Sequence, residues 1–306
     1  MSENPKSVEL HAALQQLRLY QESQQNLATA AASDTASVTT EAISDAVPAA
    51  DPAPVGPNVV TVSPGGASFS TISAAIDSIT DASLKKQYLL TVGPGTFNER
   101  VVMKPWVFVQ GSGQENTTIT APPTSDVFSR GTVVAASNSG ISNLTVSCTG
   151  GSWGDWSSAL VCANVTAFYA EGLVLAVNDL GNAGINLQTV GIDINLPNSG
   201  TSQVYFAYSY IQSSGQNGES TSMNLLAYNG SYVEVTNSKL IAQGGGSSFG
   251  AASDGGASVN IFDSYVQGGT FALDIPSNGT LIATNSQIDG PVSNAVQIIN
   301  NPPPSE

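Results

Sequence analysis

The chain has 306 residues, 41% of them apolar and 10% charged, and a formal charge of −15 from 23 acidic and eight basic side chains. Charged residues usually make up about a quarter of a globular chain, so this composition disfavours a helical bundle and suits a β-solenoid rich in Gly, Ser, Thr and Asn. The acidic balance excludes nucleic acid and anionic membranes as natural partners, and no apolar run reaches the ~18 residues of a transmembrane helix.

In chain order, the first element is an amino-terminal helical arm within residues 1–30. Asn4 can cap a helix over 5–30, and Pro5 sits where a missing N–H costs nothing. Leu10, Leu14 and Leu17 form a short stripe at helical spacing, which makes them the candidates for self-association through this arm. His11, the single histidine, lies on the same segment and reads as a surface residue. Residues 31–57 are Ala, Ser, Thr, Pro and Asp with almost no large apolar side chain, the composition of a disordered linker. The start lacks a basic-then-apolar export pattern. A Pro-rich tail occupies 301–306.

From 58 to 300 the pattern is β. Ile72, Ala75, Ile76 and Ile79 fall at helical spacing and predict a short helix near 72–80 that caps the open end of a coil. Beyond it one phrase recurs: V-E-V-T-N-S-K-L-I-A ending at Ala242, V-N-I-F-D-S-Y-V-Q-G ending at Gly268 and L-I-A-T-N-S-Q-I-D-G ending at Gly290. Fainter copies begin at Gly140, Phe168 and Val204. Aligned on Ser142, Gly172, Ser209, Ser238, Ser264 and Ser286, the copies are 22 to 37 residues apart. A strand–bend–strand unit of that length cannot bury its apolar face alone, but stacked on its neighbours it can. The fold class is therefore all-β, a right-handed single-stranded parallel β-helix of roughly nine to ten coils. Val233, Val235, Leu240, Val259, Ile261, Val266, Leu281, Ala283 and Ile288 should point inward.

The opening of this body resembles the pectin methylesterase family. The residues that carry the likeness are F-S-T-I-S-A-A-I (Phe69 to Ile76), V-G-P-G-T-F-N-E (Val92 to Glu99) and G-S-G-Q-E-N-T-T-I (Gly111 to Ile119), in the family's order. Gly95 would serve a tight corner. The resemblance implies the fold, and a chemistry needing two aspartates, two glutamines and an arginine on later coils. Here Ser replaces Gln in S-S-A-L-V (Ser157 to Val161), and Asn217 follows Gln216 where an acid is expected. Gly246, or Phe271 in the alternative placement, stands for the nucleophile. Beyond Arg130 the one basic residue is Lys239, so no arginine can hold a nucleophilic carboxylate. Pectate-lyase and polygalacturonase readings fail alike, for want of a basic residue beside Ca²⁺-binding acids and of paired Asp with His.

The expected function is thus a non-catalytic pectinesterase-like β-helix, acting as a structural, surface or self-assembling protein with weak polysaccharide binding. The alternative is an active carbohydrate esterase using Asp179, Asp193, Asp254 or Asp274. No metal site and no cofactor is expected, and the resemblance implies an extracellular or cell-surface location. For glycan binding the candidates are Trp153, Asp155 and Trp156, since tryptophan faces stack on sugar rings and a carboxylate accepts from hydroxyls; the same rings could instead cover the flank of a coil. Tyr205, Phe206, Tyr208 and Tyr210 lie on one strand, half inward and half outward. Gly244 to Gly256 reads as a flexible loop without a phosphate-binding signature. Asn237, Asp263 and Asn285 read as bend residues rather than as a metal ladder. Cys148 and Cys162 can pair across the loop between them or remain two small buried thiols. Five N-x-S/T sequons, at Asn116, Asn143, Asn164, Asn229 and Asn278, matter only in a eukaryotic secretory pathway.

Overall fold

The computed structural model describes residues 58–66, 68–122, 131–149, 156–178, 188–194, 201–215 and 221–299, with side chains omitted for 156–157 and 188–194. The expectations for the arm with Leu10, Leu14 and Leu17, for the linker and for the Pro-rich tail lie outside these residues.

Each coil crosses three sheets in turn. A representative coil runs through Tyr232–Thr236, Lys239–Gly244 and Ser247–Ser253 before Ser258–Phe262 begins the next. Strands one coil apart are hydrogen-bonded in parallel, giving sheets of ten, eight and seven strands. The fold is a parallel β-helix. Such pairing stacks like on like: Val233 lies beside Val259, which lies beside Leu281, and Val235, Ile261 and Ala283 form the adjacent ladder. Leu240, Val266 and Ile288 align on the next sheet. All are buried except Ile288, which packs against the core from its edge.

The helix expected near 72–80 is α1, Ile72–Ser78, with Ile72, Ala75 and Ile76 buried in the coil interior. It is held at both ends. Thr71 Oγ1 accepts from the Ala74 N–H at 3.2 Å, and the Glu99 carboxylate accepts from Ile72 and Ser73 at 2.8 and 2.9 Å. At the other end Lys104 Nζ donates to the carbonyls of Ile76 and Ile79 at 2.9 and 3.1 Å. A carboxylate at the first turn and an ammonium at the last complement the helix dipole. Gly95 has φ +143°, and a Cβ there would lie 2.6 Å from Pro64 Cγ. The third motif is placed against the second, with Thr117–Ala121 paired to Gly95–Asn98, so all three opening motifs build the first coils.

The bend between the ten- and eight-stranded sheets repeats one conformation. Asn143, Gly172, Tyr208, Asn237, Asp263 and Asn285 all have positive φ there, and each N–H donates to the coil above. The serines that follow form a relay. The N–H of Ser209 donates to Ser238 Oγ at 3.1 Å, that of Ser238 to Ser264 Oγ at 3.0 Å, and that of Ser264 to Ser286 Oγ at 3.1 Å. Each hydroxyl donates onward to the carbonyl two residues before it, as Ser238 does to Thr236 at 2.8 Å. The early copies are shifted relative to the expected alignment. Ser142 pairs with Glu171, which pairs with Ala207, so the residues equivalent to Ser209 are Leu144 and Leu173. What the bend demands is positive φ, which Asn143 and Gly172 supply without a serine after them.

The expected flexible loop over 244–256 is corrected: Ser247–Ser253 is a strand of the seven-stranded sheet. Its small residues permit a close turn of the coil, since a Cβ on Gly250 would sit 2.5 Å from both the Ala272 carbonyl and Val266 Cγ1. Cys148 and Cys162 are buried thiols on different sheets and are not bridged to each other.

Two stability predictions follow from these contacts. Glu99→Ala should cost about 1–3 kcal/mol, because two amide donors of α1 lose a charged acceptor. Ser238→Ala should cost a similar ~1–3 kcal/mol by leaving the buried Ser209 N–H without its acceptor. Urea unfolding followed by circular dichroism measures both; an unchanged midpoint in either variant would contradict the assigned role.

Candidate functional site

Two outer surfaces carry the chemistry-bearing residues. The first is the seven-stranded sheet, where the S-S-A-L-V stretch lies within the strand Trp156–Cys162. In register across this sheet, Val161 is followed by Asp193, Leu226, Ala252 and Asp274. Asp193 and Asp274 thus share a column but are separated by two coils of apolar residues. Leu226 and Ala252 pack with Met223 and Tyr228 in a cluster separate from the coil interior.

Asp254 accepts from its neighbour Gly255 N–H at 2.7 Å and from the Ser277 hydroxyl. Burial raises the Asp274 carboxyl above its ordinary value, against hydrogen bonds from Ile275 and Ser293, and the Asp254 charge adds to the rise. Neither acid meets a cation among the described residues. The ion pairs there are Lys86–Asp81 and Lys104–Asp77, both in the opening coils. Arg100 donates to the carbonyls of Gly131 and Pro122 at 2.8 and 2.7 Å, and Lys239 belongs to another sheet. No group of three His, Cys, Asp or Glu close enough to hold a metal occurs among the described residues.

The second surface is a shallow groove of ≈ 870 Å³ along the bend between the ten- and eight-stranded sheets. Its lining includes Tyr208, Tyr210, Asn237, Lys239, Asp263 and Tyr265. Register explains their meeting: Tyr210, Lys239, Tyr265 and Gln287 succeed one another coil by coil. The Lys239 ammonium lies 6.0 Å from the Tyr210 ring centre and 5.2 Å from that of Tyr265, within cation–π range. Tyr265 donates to Asp289 at 2.8 Å, and burial together with that carboxylate pushes its hydroxyl up to about 12. Asn285 hydrogen-bonds Asp263 across one coil step. Asn237, Asp263 and Asn285 lie at the bend as expected, and Lys239 joins them there. The signal was available in the phrase itself, where N-S-K, D-S-Y and N-S-Q align.

A second tyrosine group lies on the ten-stranded sheet. Tyr169 and Tyr205 stack at 5.0 Å with 9° between their planes, Tyr205 meets Tyr232 at 6.0 Å, and Tyr232 donates to Glu234 at 2.9 Å. Rings stacked on one another have those faces covered, so this ladder staples coils together rather than presenting faces to a ligand. Burial, with Glu234 adding to it, raises all three hydroxyls, that of Tyr232 to about 12.

The remaining expected residues are not assembled into a site. Trp153 and Asp155 lie outside the described residues, as do Asp179, Gln216 and Asn217, and Trp156 is placed by its backbone alone. Gly246 precedes the strand Ser247–Ser253, and Phe271 stacks on Phe249 at 6.2 Å.

Among solved structures the chain is similar to pectin methylesterase from carrot, with a TM-score of 0.52, 13% identity, and 82% of this chain and 91% of that one covered. Pectin methylesterase PemA from Erwinia chrysanthemi gives 0.48 at 13% identity, covering 78% and 92%. The Aspergillus niger pectin methylesterase gives 0.47 at 15% identity, covering 81% and 87%. No family model and no curated protein matches the sequence. At this identity the likeness defines the fold: the chain is a parallel β-helix of the pectin methylesterase type.

The Asp274 environment predicts a pH signature. Its carboxyl titrates above the unfolded value of 3.8, so the native state penalises the ionised form. That penalty is fully present above the folded pKa and disappears as pH falls below 3.8. Asp274→Asn should therefore be more stable than the parent at pH 7, by under ~1 kcal/mol after solvent screening, with the difference vanishing in acid. Melting curves at the two pH values measure it, and a variant less stable at pH 7 would contradict the assignment.

Proposed function

We propose that the protein is a non-catalytic β-helix of pectin methylesterase type, a structural or surface protein that contacts polysaccharide outside the cell. The observation that supports this most directly is that, among the described residues, no cation lies beside Asp254 or Asp274. A nucleophilic carboxylate is oriented by a cation, whereas the influences on Asp274 are burial and the Asp254 charge, which raise its carboxyl, and hydrogen bonds from Ile275 and Ser293. The sequence after Arg130 offers only Lys239, which lies in the groove on a different sheet. Fold likeness alone does not carry activity, because function resides in residues grafted on the scaffold. Self-association through Leu10, Leu14 and Leu17 belongs to the same proposal, since an arm with one apolar stripe suits attachment to a second copy.

A second reading draws on the same pair of acids. A carboxyl raised by burial beside another carboxylate is the arrangement of a general acid, which would make Asp274 the proton donor of an esterase. Methanol release from highly methylated pectin decides between them. The expected result is release at the uncatalysed rate, unchanged in Asp254→Asn and Asp274→Asn. Release well above that rate, abolished by Asp274→Asn, would establish the esterase and overturn the non-catalytic reading.

A further inference from the structure

The six residues of the bend column are Asn143, Gly172, Tyr208, Asn237, Asp263 and Asn285. Glycine, asparagine and aspartate tolerate positive φ, the latter two because a short polar side chain bonds locally. Tyr208 does not belong to that set. It holds φ 51° with 58% of its surface exposed, so no burial of its ring compensates the backbone conformation. A bulky side chain held at strain on an open surface directs attention to what it does there.

Its surroundings supply the answer. Tyr208 opens the groove, and below it Asn237, Asp263 and Asn285 continue the same column, one per coil. Beside this column runs a second, Tyr210, Lys239, Tyr265 and Gln287. Successive coils lie about 4.8 Å apart, so both columns present a ring, an amide, a carboxylate or an ammonium at intervals close to the rise of one sugar unit along an extended chain. The hydroxyls of Ser209, Ser238 and Ser264 are committed to backbone carbonyls beneath, which fixes the floor and leaves recognition to the outer groups.

Charge selects among sugars. The chain carries −15, and the groove sets Asp263, with Asp289 beside it, against the single cation Lys239, whose ammonium already lies near two rings. A polyuronate would enter against net repulsion. An uncharged polyol can donate to Asp263, exchange hydrogen bonds with the amides of Asn237 and Gln287, and lay a ring face on Tyr208.

We infer that this groove binds an extended uncharged polysaccharide along the coil axis, with Tyr208 as its stacking ring. The inference rests on the polysaccharide-contacting part of the proposed function and names its site and ligand class. It places that contact on the bend between the ten- and eight-stranded sheets, away from Asp274 on the seven-stranded sheet and from Asp254 at the end of the strand Ser247–Ser253.

The test is affinity electrophoresis of the full chain in gels containing hydroxyethylcellulose, xyloglucan, galactomannan or polygalacturonate. The expected result is retardation by at least one neutral polymer and none by polygalacturonate. Tyr208→Ala should weaken that retardation at least tenfold. Tyr208→Asn, which installs the residue found at Asn237 and Asn285, should weaken binding as much while raising the melting temperature by a few degrees. Loss of binding in a more stable protein is an outcome that damage to the fold cannot produce. Retardation by a neutral polymer that both Tyr208 variants retain would overturn the groove while leaving polysaccharide contact to another surface. Retardation only by polygalacturonate would overturn the choice of ligand. No retardation by any polymer would overturn the inference together with the polysaccharide part of the proposed function, and methanol release remains a separate measurement of catalysis.

Discussion

From Asn143 to Asn285 six successive coils leave the ten-stranded sheet for the eight-stranded one through one residue of positive φ, and that bend must fall at the same column in each of them. A slip of one residue in a strand would exchange its inward and outward faces, placing Val259 and Ile261 in solvent. The serine relay ties register to hydrogen bonding. An N–H on one coil finds its acceptor in the hydroxyl of the next, and that hydroxyl is held by a carbonyl of its own coil. With each such bond worth about 1 kcal/mol net and more when its loss strands a buried donor, misregistered coils lose several interactions at once. Stacked Val, Ile and Leu ladders then add burial that only correct register permits.

The opening coils bear a further constraint, and it accounts for where the family likeness resides. A stack of parallel strands needs its first edge covered. Here α1 covers it, with Glu99 from the V-G-P-G-T-F-N-E motif seated at its start and Lys104 at its end. These residues are fixed by the geometry of the cap whatever the later coils do. Later coils must keep only inward apolar residues and a tolerant bend, so their outer positions can change without loss of fold. That freedom fits a chain with 13% identity to the carrot enzyme that nonetheless matches 82% of its own length to the same scaffold.

Inward patterning, the capping helix and the bend residues were legible in the sequence because each is a local rule: alternation, helical spacing, or a short polar residue where φ must be positive. Ser247–Ser253 was not legible. Its glycine and serine content is that of a loop, and only the approach of the Ala272 carbonyl and Val266 to Gly250 shows why small residues make a strand there. The early repeats were misaligned because Ser142 resembles the later bend serines in type while the constraint acts on Asn143 and Gly172. The groove was legible only in part. Tyr208, Lys239 and Tyr265 are 26 to 57 residues apart in chain and come together through register, which the sequence encodes only once the coil length is known.

A solenoid repeats its solution to folding, so a departure from the repeat identifies a position where something other than folding was selected. Positions that follow the rule need no further cause. Asn237, Asp263 and Asn285 are accounted for by the bend, and Tyr169 and Tyr205 by their mutual stacking. Tyr208 and Lys239 are not accounted for in this way. A tyrosine with positive φ costs on the order of 1–2 kcal/mol relative to glycine, and Lys239 is the single cation in the last 176 residues of an acidic chain. Both departures fall in one groove, one coil apart, Tyr208 in the bend column and Lys239 in the column beside it. On the seven-stranded sheet the corresponding departures are acids, and the residues between Asp193 and Asp274 in register are the apolar Leu226 and Ala252. The two outer surfaces therefore differ in kind: along the bend groove a ring and a cation depart from the repeat, and on the seven-stranded sheet the departures are aspartates set two apolar coils apart.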